Sequence, residues 1–143
     1  MTTNNRPRFS GRSLSIAFRG LEMKQTILIV EDNDVVRISL QDWLSVTFPE
    51  CTFQIAKSGE EAVEKVANRP PTIVLMDIGL PGMNGIQATR MIKAASPKTK
   101  VVILTIYNDV EHRADASKAG ASAYISKSKM HSELVPLMKT LLS

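Results

Sequence analysis

Short apolar runs alternate with helix-periodic stretches five times along this chain, and that alternation limits the possible folds more than any other feature. Ile27-Leu28-Ile29-Val30 is apolar without a break, as a strand covered on both faces must be. Over 34–48, Val36, Leu40, Trp43 and Leu44 recur at helical spacing, and Pro49 closes the stretch. Residues 51–56 read as a second strand. Ser58 and Glu61 stand at capping-box spacing and open a second helix, with Ala62, Val63 and Val66 on its apolar face. Pro70-Pro71 precede a third strand over 72–76. The run 80–85, Leu-Pro-Gly-Met-Asn-Gly, has loop composition. A helix over 86–95 is closed by Pro97, and 101–104 is a fourth strand. Residues 109–119 are helical, with Gly120 suited to terminate them. A fifth strand, 123–126, leads to a helix capped by Ser132 and running through Leu142. Pro136 falls in its first turn or just past it.

This pattern predicts an α/β fold, a parallel sheet with helices on both faces and right-handed crossovers. Five βα units suggest the doubly wound, flavodoxin-like (βα)5 arrangement with strand order 2-1-3-4-5; a barrel needs about eight. A length of 143 residues suits one domain. Apolar residues make up 43% and charged residues 22%, as in ordinary soluble proteins, and no apolar run nears the roughly 20 residues of a membrane span. Cys51 stands alone, which excludes an internal disulfide and a Cys-rich metal site and suits a reducing cytoplasm.

The net charge of +4 is unevenly placed. Residues 1–22 hold Arg6, Arg8, Arg12 and Arg19 against Glu22, a net +3. Residues 23–143 hold 14 basic and 13 acidic side chains, a net +1, so the body carries no charge excess that suggests nucleic-acid binding. The tail 1–22 shows no sustained period and is expected to be disordered. Three readings of it stay open: a start at Met23, a basic arm for phosphates or acidic lipids, or a targeting segment.

Polar residues follow the strands in a telling way. The first ends in Glu31-Asp32, the third in Asp77, the fourth in Thr105 and the fifth in Lys127. A lone Asp after a strand is more often a turn or N-cap residue. In a parallel sheet, however, all these ends lie on one edge, and the order 2-1-3-4-5 makes Glu31, Asp32 and Asp77 face one another. Three carboxylates oppose one another's ionisation, and a divalent cation with Lys127 balances them. Oxygen ligands suit Mg²⁺; zinc prefers His or Cys, and His112 and His131 read as surface residues on or near helices. Metal, lysine and hydroxyl around a carboxylate suit phosphoryl chemistry, in which the carboxylate itself can be the nucleophile. Neither GxxxxGK[ST] nor GxGxxG occurs, so nothing here cradles a nucleotide.

ILIVEDN, LMDIGLPGMNG, VVILT and KAGASAYISKS resemble the receiver domain of bacterial two-component response regulators, over residues 25–142. The resemblance implies a phosphoacceptor domain, not an enzyme in the ordinary sense. Asp77 is implied to take a phosphoryl group from a histidine kinase or phosphotransfer protein. Self-phosphorylation from small donors with Mg²⁺, and autodephosphorylation, follow. Asp32 is implied as the direct Mg²⁺ ligand, Glu31 as one acting through water, and the Gly79 carbonyl as a further ligand. Thr105 and Lys127 are implied to contact phosphoryl oxygens. Tyr124 matches the aromatic whose rotamer follows Thr105 and remodels the helix 4–strand 5–helix 5 face, for a partner or a homodimer. Some positions depart from the commoner pattern. Ser128 stands where proline is common, so a cis peptide is not expected. Ile106 is expected to narrow donor access, Gly79 and Tyr107 occupy positions that often tune hydrolysis, and Trp43 is expected to report poorly on Asp77. The local flavour resembles receivers joined to a helix-turn-helix output domain. A stand-alone receiver and a fragment of a transcription regulator both remain open, as does a constitutive interaction module with an idle site.

Overall fold

The computed structural model describes residues 24–143, and the expectations for the tail and for a start at Met23 lie outside the described residues. The apolar runs form five strands: β1 (Thr26–Val30), β2 (Thr52–Ala56), β3 (Ile73–Met76), β4 (Lys100–Thr105) and β5 (Ala123–Ser126). They pair in parallel in the order β2-β1-β3-β4-β5, the expected doubly wound order. The helices are α1 (Asp34–Thr47), α2 (Gly59–Asn68), α3 (Gly85–Ala95), α4 (Val110–Ala119) and α5 (Met130–Leu142).

Strand alternation sends successive side chains to opposite faces, so one sheet makes two cores. Leu28, Val30, Val74, Met76, Val101 and Ile103 pack with Ala62, Val66, Ala88, Ile92, Ala116 and Ala119 of α2, α3 and α4. Ile27, Ile29, Ile73, Leu75, Val102 and Leu104 pack with Leu40, Leu44, Leu134 and Met138 of α1 and α5, and with Phe48. Alanines of α2–α4 mix with larger residues on the three-helix side, and larger residues fill the two-helix side. None of the helices among the described residues is long and apolar enough to cross a membrane.

The helix ends refine the reading. Ser58 Oγ accepts from the Glu61 amide at 3.0 Å, but the Glu61 carboxylate takes the Lys57 amide at 2.8 Å, one residue before the reciprocal position. The reciprocal capping box is at α3, between Asn84 and Gln87. Gly120 ends α4 at φ 104, a left-handed conformation suited to glycine. The expected Ser132 cap is corrected. A 3₁₀ turn, Lys127–Lys129, feeds straight into α5, so Ser132 lies inside its first turn and its hydroxyl donates to the Lys129 carbonyl at 3.2 Å. Pro136 therefore sits in the second turn, exposed, where it offers no N–H to the Ser132 carbonyl.

Candidate functional site

The register of the sheet builds this site. Val30 on β1 pairs with Met76 on β3, so the residues that follow, Glu31 and Asp77, leave the sheet side by side. Their amides continue the ladder, Glu31 to the Ala56 carbonyl at 3.0 Å and Asp77 to the Val30 carbonyl at 3.3 Å. Thr105 on β4 pairs with Ser126 on β5, which puts Lys127 next beyond the same edge. Carboxylate oxygens of Glu31, Asp32 and Asp77 lie within 4.8 Å of one another.

Lys127 bridges two of these acids. Its Nζ is 2.9 Å from Glu31 Oε1 and 3.7 Å from Asp77 Oδ2. The Asn33 amide donates to Glu31 Oε2 at 3.1 Å, and the Gly79 amide to Asp77 Oδ1 at 3.3 Å. Glu31 is buried, Asp32 is exposed and Asp77 lies between. Burial pushes the Asp77 carboxyl above its ordinary value; Lys127 and the Gly79 N–H pull against this, and Glu31 and Asp32 reinforce it. A group of hard oxygen donors, one side open to solvent, with excess negative charge fits a hydrated Mg²⁺.

Thr105 and Tyr124 are engaged elsewhere. Thr105 is fully buried, and its Oγ1 accepts from the Tyr107 amide at 3.2 Å. The Tyr124 hydroxyl donates to the Tyr107 carbonyl, and the Arg113 guanidinium lies 4.6 Å over the Tyr124 ring centre. One residue in the loop after β4 thus holds both.

The sequence matches the family model of the response regulator receiver domain over residues 27–139. This chain belongs to the response regulator receiver family. Domains of this family are phosphoacceptor signalling modules rather than classical enzymes, and they serve two-component signalling. The receiver is 36% identical to the transcriptional regulatory protein LnrK of Bacillus subtilis over 114 residues, 80% of this chain and 52% of that protein. It spans about half the length of the curated relatives it matches. Among solved structures it resembles a two-component response regulator of the LuxR family from Aurantimonas sp., with 31% identity and a TM-score of 0.77 over 83% of this chain and 85% of that one. It also resembles the response regulator protein TrrA of Thermotoga maritima in complex with Mg²⁺-BeF, with 30% identity and a TM-score of 0.73 over 82% and 98% of the two chains.

The departures of this receiver from the common pattern have definite places. Every described peptide bond is trans, Lys127–Ser128 included. Ile106 is 73% exposed, and the Tyr107 Cε2 lies 3.5 Å from where a Cβ on Gly79 would stand. Trp43 lies on α1, its ring 5.4 Å from that of His131. Both histidines lie at the surface as expected; the His112 side chain is 38% exposed, its ring stacked on Tyr107 and its Nδ1 2.5 Å from Asp109 Oδ1.

Two residues of the site escaped the sequence reading. Arg37 is only 4% exposed; it donates to the Glu31 carbonyl at 3.0 Å and to Asp34 Oδ1 at 2.5 Å. A signal existed, since Arg37 precedes Leu40 and Leu44 at helical spacing on the buried side of α1. The other is Gly85, pressed against the backbone of Asp77 and Ile78. Its signal was a glycine directly after the cap residue of α3.

Proposed function

We propose that this receiver takes a phosphoryl group onto Asp77 from the phosphohistidine of a sensor kinase or phosphotransfer protein. A carboxylate oxygen of Asp77 forms a bond to phosphorus as the phosphorus–nitrogen bond of the donor breaks. The imidazole leaves with the electron pair. The reaction asks mainly for positioning and charge. The Gly79 amide orients the Asp77 carboxylate for this role. Lys127, already within reach of Asp77, is suited to follow the incoming phosphoryl oxygens. Mg²⁺, held by Asp32, Asp77 and the Gly79 carbonyl with Glu31 acting through water, would neutralise phosphoryl oxygens.

The same geometry suggests how the change is read out. A phosphoryl group adds about −1.5 to −2 charge and three acceptor oxygens. Thr105 turns its hydroxyl toward them and gives up the Tyr107 amide. Tyr124, tied to the carbonyl of that same Tyr107, follows. The surface of α4, β5 and α5 is thereby offered to a partner or to a second copy. Matched relatives extend well beyond the aligned segment, one of them a transcriptional regulatory protein, and this fits an output domain, of the helix-turn-helix type on our reading, acting downstream of the receiver.

The observation that carries this reading is Lys127 poised between Glu31 and Asp77, within a group of three carboxylates. Intact-mass spectrometry after incubation with acetyl phosphate tests it. One phosphoryl adduct is expected on wild type with Mg²⁺, and none with EDTA or on Asp77→Asn. An equal adduct on Asp77→Asn removes the assignment. No adduct from acetyl phosphate or from a histidine-phosphorylated donor leaves an interaction module with an idle site.

A further inference from the structure

Arg37 brings a charge to a side of α1 that is otherwise apolar. It stands with Leu40 and Leu44 on the buried side of the helix and is only 4% exposed. Its Nε has no hydrogen-bond partner among the described residues. A buried guanidinium with an open N–H is costly, and an apolar side chain of similar volume often serves packing as well or better. Packing alone therefore does not account for an arginine here. Its other nitrogens show what it holds. Nη1 donates to the Glu31 carbonyl at 3.0 Å, and Nη2 meets Asp34 Oδ1 at 2.5 Å. The two anchors lie on either side of Asp32 in the chain.

Asp32 is exposed, so the backbone around it decides where its carboxylate stands. Before it, the Glu31 amide is fixed to the Ala56 carbonyl at 3.0 Å. After it, the Asn33 amide donates to Glu31 Oε2 at 3.1 Å, and the Asn33 side chain caps α1 through the Val36 amide. The Glu31 carbonyl belongs to the peptide plane that leads into Asp32, and Arg37 gives it a buried donor. Building on the Mg²⁺-assisted phosphoacceptor reading, we propose that Arg37 is a positioning residue for the cation: by pinning the peptide between Glu31 and Asp32, it holds the Asp32 carboxylate in the group formed with Glu31 and Asp77. Arg37 itself touches neither cation nor phosphoryl group. Its charge works the other way, because a guanidinium near the carboxylates repels a cation, and Asp34 offsets that charge. Position and charge thus predict opposite signs when Arg37 is removed.

The test uses the full chain and no phosphodonor. Mg²⁺ is titrated into wild type, Arg37→Met and Arg37→Lys, and the amide resonances of Asp32, Asp77 and Gly79 are followed by NMR. The same spectra report that each variant is folded. Arg37→Met is expected to weaken Mg²⁺ binding about ten- to a hundredfold, the loss usual when a residue that orients a metal ligand is removed. Arg37→Lys, which keeps the charge and a donor for the Glu31 carbonyl, is expected to fall between Arg37→Met and wild type. Before any Mg²⁺ is added, the Asp32 amide resonance should already be displaced in Arg37→Met, because the carbonyl of its own peptide has lost a donor. A folded Arg37→Met that binds Mg²⁺ as tightly as wild type, or more tightly, overturns the inference and leaves Arg37 a part in packing or charge alone. A wild type whose resonances do not respond to Mg²⁺ removes the metal reading and the inference with it.

Discussion

A Cβ on Gly85 would stand 2.1 Å from the carbonyl oxygen of Asp77. The first turn of α3 leans directly on the backbone that carries the proposed phosphoacceptor, and the Gly85 amide fastens the contact by donating to the Ile78 carbonyl at 3.0 Å. Backbone cannot yield as a flexible side chain can. Gly85→Ala is therefore expected to destabilise the fold by about 2–3 kcal/mol, the upper range for overpacking. It should also slow phosphoryl incorporation, because Asp77 must shift. Urea unfolding and the mass assay read the two effects. A variant with wild-type stability and rate would show that α3 gives way freely.

Asp77 should cost stability in its ionised form. Burial raises its carboxyl above the ordinary value, despite Lys127. The folded chain thus keeps this proton to higher pH than the unfolded chain does. The stability linked to it is fully present below the unfolded value, about 3.9, and is lost as pH rises through the folded value. In EDTA, Asp77→Asn should then raise the urea midpoint at pH 7, with the gain shrinking as pH falls toward about 4. A gain that persisted unchanged in acid would assign it to something other than this carboxyl.

Arg37 joins α1 to the backbone of the acidic pair. It is buried, it donates to the Glu31 carbonyl, and its Nε has no hydrogen-bond partner among the described residues. Arg37→Ala leaves that carbonyl without its donor and should cost about 1–3 kcal/mol in urea unfolding. Arg37→Met fills the space without burying a charge and should recover part of the loss. Equal losses in both would place the weight on the hydrogen bond rather than on packing.

Mg²⁺ should stabilise the folded chain by mass action. The three carboxylates repel one another in the fold and lie apart once it opens. At a hundred times the dissociation constant the gain is about 2.7 kcal/mol. Asp32→Asn, at the exposed member of the group, should abolish most of the Mg²⁺-dependent rise in melting temperature. A rise of equal size with Mg²⁺ and with Na⁺ at matched ionic strength would mean screening instead of binding.

The strands and the convergence of Glu31, Asp32, Asp77 and Lys127 were legible because they follow from pattern alone. Unbroken apolar runs mark strands buried on both faces, and a parallel sheet gathers its strand ends on one edge. Ser132 misled because a serine before a helical period looks like a cap; the 3₁₀ turn that replaces the cap has no composition of its own. The reciprocal capping box between Asn84 and Gln87 is hard to see because Asn84 lies in a segment that composition assigns to a loop. The double hold of Tyr107 on Thr105 and Tyr124 leaves no trace in sequence, since it joins a loop to a strand 17 residues further along the chain. Arg37 was hidden by its charge, although its spacing put it among buried residues.

The sheet also acts as a bulkhead. Tyr124 packs into the three-helix compartment, while its neighbour Ile125 packs into the other, with Phe48, Leu134 and Met138. A change of side-chain volume beneath α1 or α5 meets the strand backbone before it meets Tyr124. Volume-conserving exchanges in one compartment can thus retune stability while the packing of Tyr124 on the far side is kept. The chain carries two separately adjustable interiors within one small body.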